Sequence, residues 1–395
     1  MMQKILIISN YYPPEKGAAA NRIEQLALQL KKNNYNVSVV CPLPNYPQGK
    51  LFAAYKGTFS RSEICEGIHL KRLWIYPSVS KNIFVRLLSV LSFSLSLIFY
   101  LTFQKTPQKV VVQSPPLLLS FLAIFVLGFK NKKIILNVSD LWPLAAIELK
   151  ALKKDSFSHK ISKFMERFIY KKANLILAQS DEICTHVKTL FPDKRCYLYQ
   201  NFPNHVTADF GLITEENQPV KIFYAGLLGI AQGVFELCKA IDLENKNLEL
   251  HLFGEGNETE KIKQFVNQNP TKKIFFHGMK NRAALHQILI TFDVALIPLT
   301  TRIYGSVPSK IFEYSSMGFP VLYFGGGEGE TIVSSKKLGW IAQVGNFESL
   351  NIQIELLSKI NKQDLGAMKK EVFKVAKTQF DLEYQMQKLL LQNVF

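Results

Sequence analysis

The strongest candidate for chemistry is the segment from Pro308 to Glu313, which opens a run with helical spacing. The first turn of a helix has backbone N–H groups without partners inside the helix, and Ser309 is a good N-cap. With Lys310 beside it, such an end predicts a diphosphate site. Glu313 follows one turn later. Its carboxylate either accepts hydrogen bonds from a ribose diol or only complements the helix dipole.

Glycines follow several predicted strands of the second half. Gly226 and Gly254 each come directly after an apolar run, and a triple glycine at 325–327 precedes Glu328 and Glu330. Glycine lets a backbone approach a ligand closely. Neither a dinucleotide-binding fingerprint nor a P-loop is present.

Polar candidates also follow strands in the first half. Gly17, with the small residues 18–20 after it, predicts close ligand approach at a helix N-terminus, although any strand-to-helix turn can carry a glycine. Asp140 follows another strand, as a cleft residue or an N-cap. No convincing nucleophile–base constellation appears. No Asp-x-Asp pair follows a strand either, so we expect no bound metal.

Strand-like runs alternate with helical patterns along the whole chain. This alternation predicts an α/β protein with two doubly wound parallel sheets, hinged near the polar stretch 201–217. Ligands of such sheets lie at the carboxyl ends of the strands, so two facing sheets predict a site in a cleft between domains. The predicted strands are Lys4–Ser9, Asn36–Cys41, His69–Leu73, Val110–Gln113, Lys133–Val138, Leu175–Ala178, Arg195–Tyr199, Lys221–Ala225, Leu248–Phe253, Ile274–His277, Val294–Pro298 and Pro320–Phe324.

Charge is distributed unevenly. Residues 1–200 contain 28 lysines and arginines against 11 acidic residues, a net charge of +17, whereas residues 201–395 contain 20 of each. A basic half predicts an acidic partner, unless the charge only keeps the protein soluble. Five cysteines without C-x-x-C spacing argue against a disulfide framework or a zinc site. The N-terminus is too short and strand-like for a secretory signal. We expect a cytoplasmic protein.

Two uncharged apolar runs lie in this basic half, at Leu87–Phe103 and Leu117–Phe129. The longer would span about 26 Å as a helix, short of a hydrocarbon core of about 30 Å. With flanking lysines, the runs predict either helices that cover a sheet and partly meet a membrane surface, or two fully buried helices. No nucleic-acid-binding motif is present, so we expect no nucleic acid partner.

These segments together resemble glycosyltransferase family 4, retaining nucleotide-sugar transferases with the GT-B fold. The resemblance covers nearly the whole chain, and its O-antigen and capsule branch, with transferases of the N-acetyl-fucosamine type, is the most similar. The segments that carry it are Tyr12-Pro13-Pro14 with Gly17, Asn45-Tyr46-Pro47, Ser114-Pro115-Pro116, Val138-Ser139-Asp140-Leu141-Trp142-Pro143, Tyr224-Ala225-Gly226, Gly254-Glu255-Gly256, Asp293 to Leu299, Pro308-Ser309-Lys310 and Glu313.

The resemblance implies an acceptor-binding, membrane-associating domain at 1–205, a nucleotide-sugar domain at 206–375, and a C-terminal helix at 376–395 that crosses back to the first domain. It implies a hexosyltransferase that uses a UDP-sugar and a lipid-diphosphate-linked acceptor at the inner face of the plasma membrane. Asp140 would orient a sugar, and Lys310 would neutralise the leaving diphosphate. We expect the donor to contact Glu313, Gly226, Gly254, Ser309, Pro308 and Glu330, and the acceptor to contact Gly17, Asn21 and Arg22.

The chain departs from the family in two places. The family commonly pairs two glutamates eight residues apart. Glu313 matches the second, and Gly305 stands at the first. Glu328, Glu330 and the amides of the glycine-rich loop are the open replacements. The usual cations that grip the diphosphate fall near Leu227 and Gln232, which leaves Lys310 as the leading candidate.

Two other functions stay open at this stage. A nucleotide-sugar 2-epimerase would share the fold without needing a lipid acceptor, which the basic, apolar first half disfavours. A non-catalytic, basic membrane-binding protein would not need the segment from Pro308 to Glu313.

Overall fold

The computed structural model describes residues 2–78, 80, 82–204, 218–230 and 232–395. The chain divides into two compact units. The first contains Met1–Asn201, Tyr304–Ser306 and Glu383–Phe395, and the second contains Phe202–Ile303 and Val307–Leu382. The predicted domain boundary at 205/206 and most of the predicted linker at 201–217 lie outside the described residues.

The first unit is built on an eight-stranded sheet in the order β3-β4-β2-β1-β5-β6-β7-β8. Its central strands are Val- and Ile-rich and buried, as expected for a parallel sheet covered on both faces. The strands are β1 (Lys4–Ile8), β2 (Asn36–Pro42), β3 (Ser60–Cys65), β4 (Ile68–Leu73), β5 (Lys109–Ser114), β6 (Lys133–Val138), β7 (Leu175–Ala178) and β8 (Cys196–Leu198).

Strand β3 was not predicted, and it pairs antiparallel with β4 whereas the other pairs are parallel. The two-residue turn between them is Glu66-Gly67, and both residues have positive φ, 49° and 72°. Such a turn matches the twist of a hairpin. The strand itself, SRSEIC, is too polar and too exposed to give an apolar run.

Helices cover this sheet, and three of them are notably apolar or aromatic. The helices of the first part of the chain are α1 (Ala18–Lys32), α2 (Ile83–Phe103), α3 (Leu117–Gly128), α4 (Leu144–Glu148), α5 (Phe157–Lys172) and α6 (Asp181–Leu190). The two uncharged runs therefore form α2 and α3, as predicted. Their buried stripes join the core with the strands beneath, for example through Leu97 and Ile124.

The second unit has a six-stranded, parallel sheet in the order β11-β10-β9-β12-β13-β14. Five strands were predicted to within two residues at either end. The edge strand β14, of sequence GWIAQ, was missed because it is short and half-exposed. The strands are β9 (Val220–Leu227), β10 (Leu248–Glu255), β11 (Ile274–Gly278), β12 (Val294–Pro298), β13 (Val321–Gly325) and β14 (Gly339–Gln343).

The remaining helices follow these strands in turn. They are α7 (Val234–Ala240), α8 (Thr259–Gln268), α9 (Arg282–Leu289), α10 (Ser309–Ser316), α11 (Glu328–Ser335), α12 (Phe347–Ser358), α13 (Lys362–Gln379) and α14 (Leu382–Leu391). From Glu383 onward the chain is part of the first unit, where Gln385 exchanges hydrogen bonds with the backbone of Gln200. The sequence analysis placed this change of domain at residue 376.

Candidate active site

Helix α10 begins at Ser309, directly after Pro308, and lies at the carboxyl side of the second sheet. Pro308 is the N-cap residue, with φ −61° and ψ 118°. The prediction that Ser309 caps the helix was therefore wrong by one position, because the fixed φ of the proline sets the first turn and makes Ser309 its first helical residue. The N–H of Ile311 donates to the carbonyl oxygen of Pro308 at 3.1 Å, and the N–H groups of Ser309 and Lys310 precede the first residue that can bond within the helix.

Lys310 is held in a fixed position beside β9. Its Nζ donates to the hydroxyl of Tyr314 at 2.9 Å, and that hydroxyl donates to the carbonyl oxygen of Ala225 at 2.8 Å. Burial lowers the pKa of Lys310, and the negative charge of Glu313 opposes this shift. A mostly buried ammonium group at a helix N-terminus is suited to an anionic partner. Tyr314, which sequence reasoning missed, aims this group.

Gly226 and Gly254 form a narrow floor next to Lys310. They are register partners at the ends of β9 and β10. A Cβ at Gly254 would lie 1.8 Å from the carbonyl oxygen of Gly226, and Gly254 has φ +139°. A Cβ at Gly226 would lie 3.2 Å from Cε of Lys310. Only glycine therefore lets the two strand ends and the lysine approach so closely.

Glu313 and Glu330 lie on successive helices of this unit. Glu313 is in α10, one turn after Ser309, and is close enough to Lys310 to affect its pKa. Glu330 is exposed in the first turn of α11, which begins after Gly327 with φ +77°. The structure thus brings Pro308, Ser309, Lys310, Glu313, Gly226 and Gly254 to one edge of the second sheet, with Glu330 on the neighbouring helix.

Arg302 is a further cation at this edge that sequence reasoning missed. A Cβ at Gly327 would lie 3.2 Å from Nε of Arg302, so the arginine side chain runs along the glycine-rich loop before α11. The available signal was its place four residues after the end of β12, because functional residues of such sheets follow the strand ends.

The first unit has its own polar region, where Gly17 is the N-cap of α1 with φ +148°. Asn21 is exposed in the first turn, and its N–H donates to the carbonyl of Gly17. The preceding loop is tied down by Glu15, whose buried carboxylate accepts from the N–H groups of Asn45 at 2.8 Å and Tyr46 at 2.9 Å. Gly17 and Asn21 are therefore placed where a ligand can reach them.

Arg22 is placed differently, because its side chain is 1% exposed. Its guanidinium donates to Oδ1 of Asn137 at 2.7 Å and to Oδ1 of Asn201 at 2.6 Å, and it lies over the ring of Tyr199. Burial lowers its pKa to about 10. Such a residue has almost no surface for an acceptor, so its place fits a positioning role.

A chain of hydrogen bonds continues from this arginine to the loop that carries Asp140. Asn137 donates to Gln113 at 2.6 Å, and Gln113 donates to Oγ of Ser139 at 2.6 Å. Burial raises the pKa of the Asp140 carboxyl to about 6, although the positive charge of Arg22 opposes the shift. The chain of hydrogen bonds thus reaches the residue next to Asp140, whose carboxyl pKa is raised by burial.

At Gly305, where the family resemblance expects a glutamate, the backbone and its neighbours disfavour a side chain. Its φ is +84°, and a Cβ would lie 3.0 Å from both Ile183 and Leu141. Its N–H donates to Oε2 of Glu182 at 2.6 Å, and Oγ of Ser180 donates to its carbonyl at 2.8 Å. The backbone N–H at this position is therefore bonded to the carboxylate of Glu182. The local conformation, with its positive φ, favours glycine here.

A cavity of about 590 Å³ lies elsewhere in the first unit and contains none of the predicted site residues. Among the described residues, no group of three or more histidines, cysteines or acidic side chains is arranged to hold a metal ion. The prediction that no metal is used stays a prediction. The cavity is lined by Ser38, Val39, Val40, Ser62, Glu63, Ile64, His69, Leu70, Lys71, Tyr100 and Gln104.

Comparison with known proteins gives this arrangement a class. Residues 209–372 match the family described as Glycosyl transferases group 1. A probable glycosyltransferase, WbjE of Pseudomonas aeruginosa, is 24% identical over 270 residues, which is 65% of this chain and 67% of that protein.

Two solved structures are similar over almost their whole length. WaaG, a glycosyltransferase involved in lipopolysaccharide biosynthesis, is 13% identical with a TM-score of 0.65 and covers 97% of this chain and 98% of its own. HepE from Anabaena in complex with UDP-glucose is 12% identical with a TM-score of 0.68 and covers 99% of each chain. At these identities, the similarity establishes the fold.

The chain therefore has the GT-B fold, with two Rossmann-like sheets. The match of its second half to the group 1 family and its similarity to WbjE identify it as a glycosyltransferase. The predicted fold class and the predicted enzyme class are confirmed. A non-catalytic binding protein is no longer a viable interpretation. The finer resemblance to N-acetyl-fucosamine transferases stays a prediction.

Proposed function

We propose that this enzyme is a retaining glycosyltransferase that moves a sugar from a UDP-sugar to a polyprenyl-diphosphate-linked saccharide. The transferred sugar is an N-acetylated amino or deoxy sugar. The product serves surface polysaccharide biosynthesis, as O-antigen or capsule. The observation that carries the proposal is the partly buried Lys310 side chain at the start of α10, fixed beside the glycines that end β9 and β10.

Support for the donor comes from the chemistry of this edge and from the solved relatives. A diphosphate can accept hydrogen bonds from first-turn amides while Lys310 neutralises its charge. Glu313, one turn further on, accepts from the ribose hydroxyls. HepE was solved with UDP-glucose, and WaaG acts in lipopolysaccharide biosynthesis, which favours a UDP-sugar and a polysaccharide pathway.

In the proposed mechanism this chain stabilises the leaving group. Negative charge grows on the diphosphate as the sugar–oxygen bond breaks, and prepositioned donors lower the energy of that state. Lys310 and the amides of α10 supply this stabilisation, and the proposal needs no bound metal. Asp140 orients a sugar hydroxyl, and the network from Arg22 through Asn137 holds Ser139, the residue directly before Asp140.

The proposed acceptor is a sugar diphosphate on a lipid chain, bound by the first unit near Gly17 and Asn21. The charge of residues 1–200 and the apolar helices of this unit support a partner that is both acidic and apolar. The enzyme would then act in the cytoplasm, peripherally associated with the inner face of the plasma membrane.

A donor panel tests the proposal. Purified full-length protein is incubated with individual UDP-sugars and a polyprenyl-diphosphate disaccharide, and the acceptor is followed by mass spectrometry. We expect the acceptor to gain one sugar residue with one donor. Conversion of the donor into an isomer of equal mass, separated by chromatography with no gain on the acceptor, would instead identify a 2-epimerase.

A further inference from the structure

The first unit exposes apolar side chains in one place far more than elsewhere. Of the 25 large apolar residues that are exposed in the described part of the chain, eleven lie on α2, α3 and α5 or directly after α3. Soluble surfaces rarely present so many together, and such patches usually mark an interaction site. We call this patch the three-helix surface. It consists of Phe84, Leu87, Leu88, Leu95, Phe99, Phe103, Phe125, Phe129, Phe157, Ile161 and Phe164.

Helix α2 shows why this exposure is not a loosely packed core. Phe93, Leu97 and Leu101, spaced four residues apart, are at most 1% exposed and belong to the core of the first unit. The opposite stripe includes Leu95, 64% exposed, and Phe99, 68% exposed. The helix is thus apolar on the side that faces the protein and also on the side that does not. The outer side of a helix that faces water is normally polar.

The three helices form one continuous surface. Helix α3 packs against both α2 and α5. Aromatic rings join α3 to α5, with Phe121 centred 6.1 Å from Phe164 and 4.9 Å from Phe168. At the end of α3, Lys130 donates to the carbonyl of Thr102 at 3.0 Å and so ties α3 to the end of α2. Helix α5 is an addition that the apolar sequence runs did not indicate.

The exposed charges on these helices have one sign. The three helices contain a single acidic residue, Glu166, which is buried and lies 2.9 Å from Nε2 of His186. All their basic residues are exposed. A protein partner with a mixed surface would not need this bias, whereas anionic lipid headgroups around an apolar layer match it. The basic residues are Arg86, Lys160, Lys163, Arg167, Lys171 and Lys172.

We infer that the three-helix surface is the membrane-docking face of the enzyme. Helices α2, α3 and α5 lie side by side and insert their outer side chains into one leaflet of an anionic bilayer. Its phenylalanines and leucines enter the acyl boundary, and the lysines of α5 contact phosphate groups. The inference rests on the proposed function in one respect: a lipid-linked acceptor lies in the membrane, so the enzyme must bind there to reach it.

The docking is monotopic, although one helix could cross a membrane by length and composition alone. That helix is Phe84–Phe103, with a mean hydropathy of 2.0 and a third of it buried. To span a bilayer, α2 would have to withdraw Phe93, Leu97 and Leu101 from the core. Helix α3 would also lose the neighbour that it packs beside. An in-plane helix keeps these contacts and still buries its outer stripe.

Vesicle flotation of the full-length protein tests the apolar part. Vesicles contain either phosphatidylcholine alone or phosphatidylcholine with 30% phosphatidylglycerol, and no donor or acceptor is added. We expect binding to the anionic vesicles and weaker binding in high salt. Phe99→Ser with Phe164→Ser should lower the partition coefficient at least tenfold. The matched control is Phe59→Ser, because Phe59 is 78% exposed in the same unit but outside the surface.

The charged part is tested with residues whose change does not threaten the core. Lys160→Glu with Lys163→Glu should lower binding to anionic vesicles at least tenfold, whereas Lys370→Glu with Lys377→Glu on α13 should leave it unchanged. Equal loss in both pairs would overturn the inference. A second result would also overturn it: a wild-type protein that self-associates and binds no vesicles, with self-association lost in the Phe99→Ser, Phe164→Ser variant. The surface would then be a protein interface.

Calorimetry with UDP on the same samples separates this inference from the proposed function. If the protein does not bind UDP but binds vesicles through the three-helix surface, the docking inference holds and the proposed donor site is contradicted. UDP binding in a wild-type protein that ignores anionic vesicles does the reverse.

Discussion

In the proposed function, Glu313 is the residue on which donor recognition depends most. If its carboxylate binds the ribose diol, Glu313→Ala should weaken UDP binding by about 1.5–3 kcal/mol, the contribution of hydrogen bonds to a charged group. Calorimetry with UDP measures this. The UDP affinity of Glu313→Gln should fall between those of wild type and Glu313→Ala. Glu348→Ala, at an exposed first-turn glutamate of α12, should leave UDP affinity unchanged. Unchanged affinity in a folded Glu313→Ala protein would end the ribose assignment.

Lys310 should matter more for turnover than for binding, because the diphosphate gains charge in the transition state. Lys310→Ala should lower kcat by about 100-fold or more, with a smaller change in KM for the donor. Tyr314→Phe should lower kcat by about tenfold, since the ammonium loses the hydroxyl that positions it. Steady-state kinetics with Lys370→Ala as the control measure both. An effect confined to KM would show that Lys310 only binds the donor.

Asp140 makes stability depend on pH in a direction that can be worked out. Its pKa rises from an ordinary 3.8 to about 6 in the folded protein. Between these values the folded state holds a proton that the unfolded state has released, so stability falls as pH rises through this window. Asp140→Asn should therefore be more stable than wild type by up to about 3 kcal/mol at pH 7, and the difference should disappear near pH 4. Urea unfolding at both pH values measures this. A difference independent of pH would mean that Asp140 does not titrate in this range.

At the scale of elements, the glycine floor sets how closely β9 and β10 approach. Gly254→Ala should destabilise the protein by about 3 kcal/mol or more, because its Cβ would overlap the carbonyl oxygen of Gly226. Gly366→Ala, in the interior of α13 with nothing within 4 Å, should instead stabilise by about 0.5–1 kcal/mol. Denaturant unfolding compares the two. Equal effects would show that the strand ends can separate without cost.

Buried strands could be predicted from the sequence, whereas exposed edge strands could not. Strands such as β6 are mostly apolar and almost fully buried, and their bounds matched the apolar runs. The exposed edge strands β3 and β14 have no such run, and their pairing depends on a hairpin turn and on the neighbouring strand. The candidate site divides in the same way. Lys310 and Glu313 are one helical turn apart and could be proposed from spacing. The role of Tyr314 depends on its hydrogen bond to Ala225, 89 residues away, and that of Arg302 depends on its contact with Gly327.

The burial of Arg22 shows the limit of such reasoning for a single residue. A basic residue near a helix N-terminus suggests a ligand contact, yet here its hydrogen bonds go to Asn137 and Asn201. Those partners lie 115 and 179 residues further along the chain, and sequence spacing gives no information about such pairs. The same holds for Gly305, where the contacts of Ile183 and Leu141 explain why no glutamate stands there.

At the scale of the whole molecule, the two halves of the chain have different chemistry. All the excess charge and the three-helix surface belong to the first half, and the group 1 glycosyltransferase match belongs to the second. This division supports the proposal that the second unit binds the donor and that the first binds a lipid-linked acceptor. The central claim is therefore that UDP is bound by the second unit, at the edge where α10 begins.

Photolabelling of the full-length protein with an azido-UDP analogue tests this claim directly. After illumination and proteolysis, mass spectrometry locates the label along the chain. The account predicts labelled peptides from residues 218–382, protection by excess UDP, and strong loss of label in Glu313→Ala. Label confined to peptides of residues 2–201, or label that excess UDP does not displace, would contradict it.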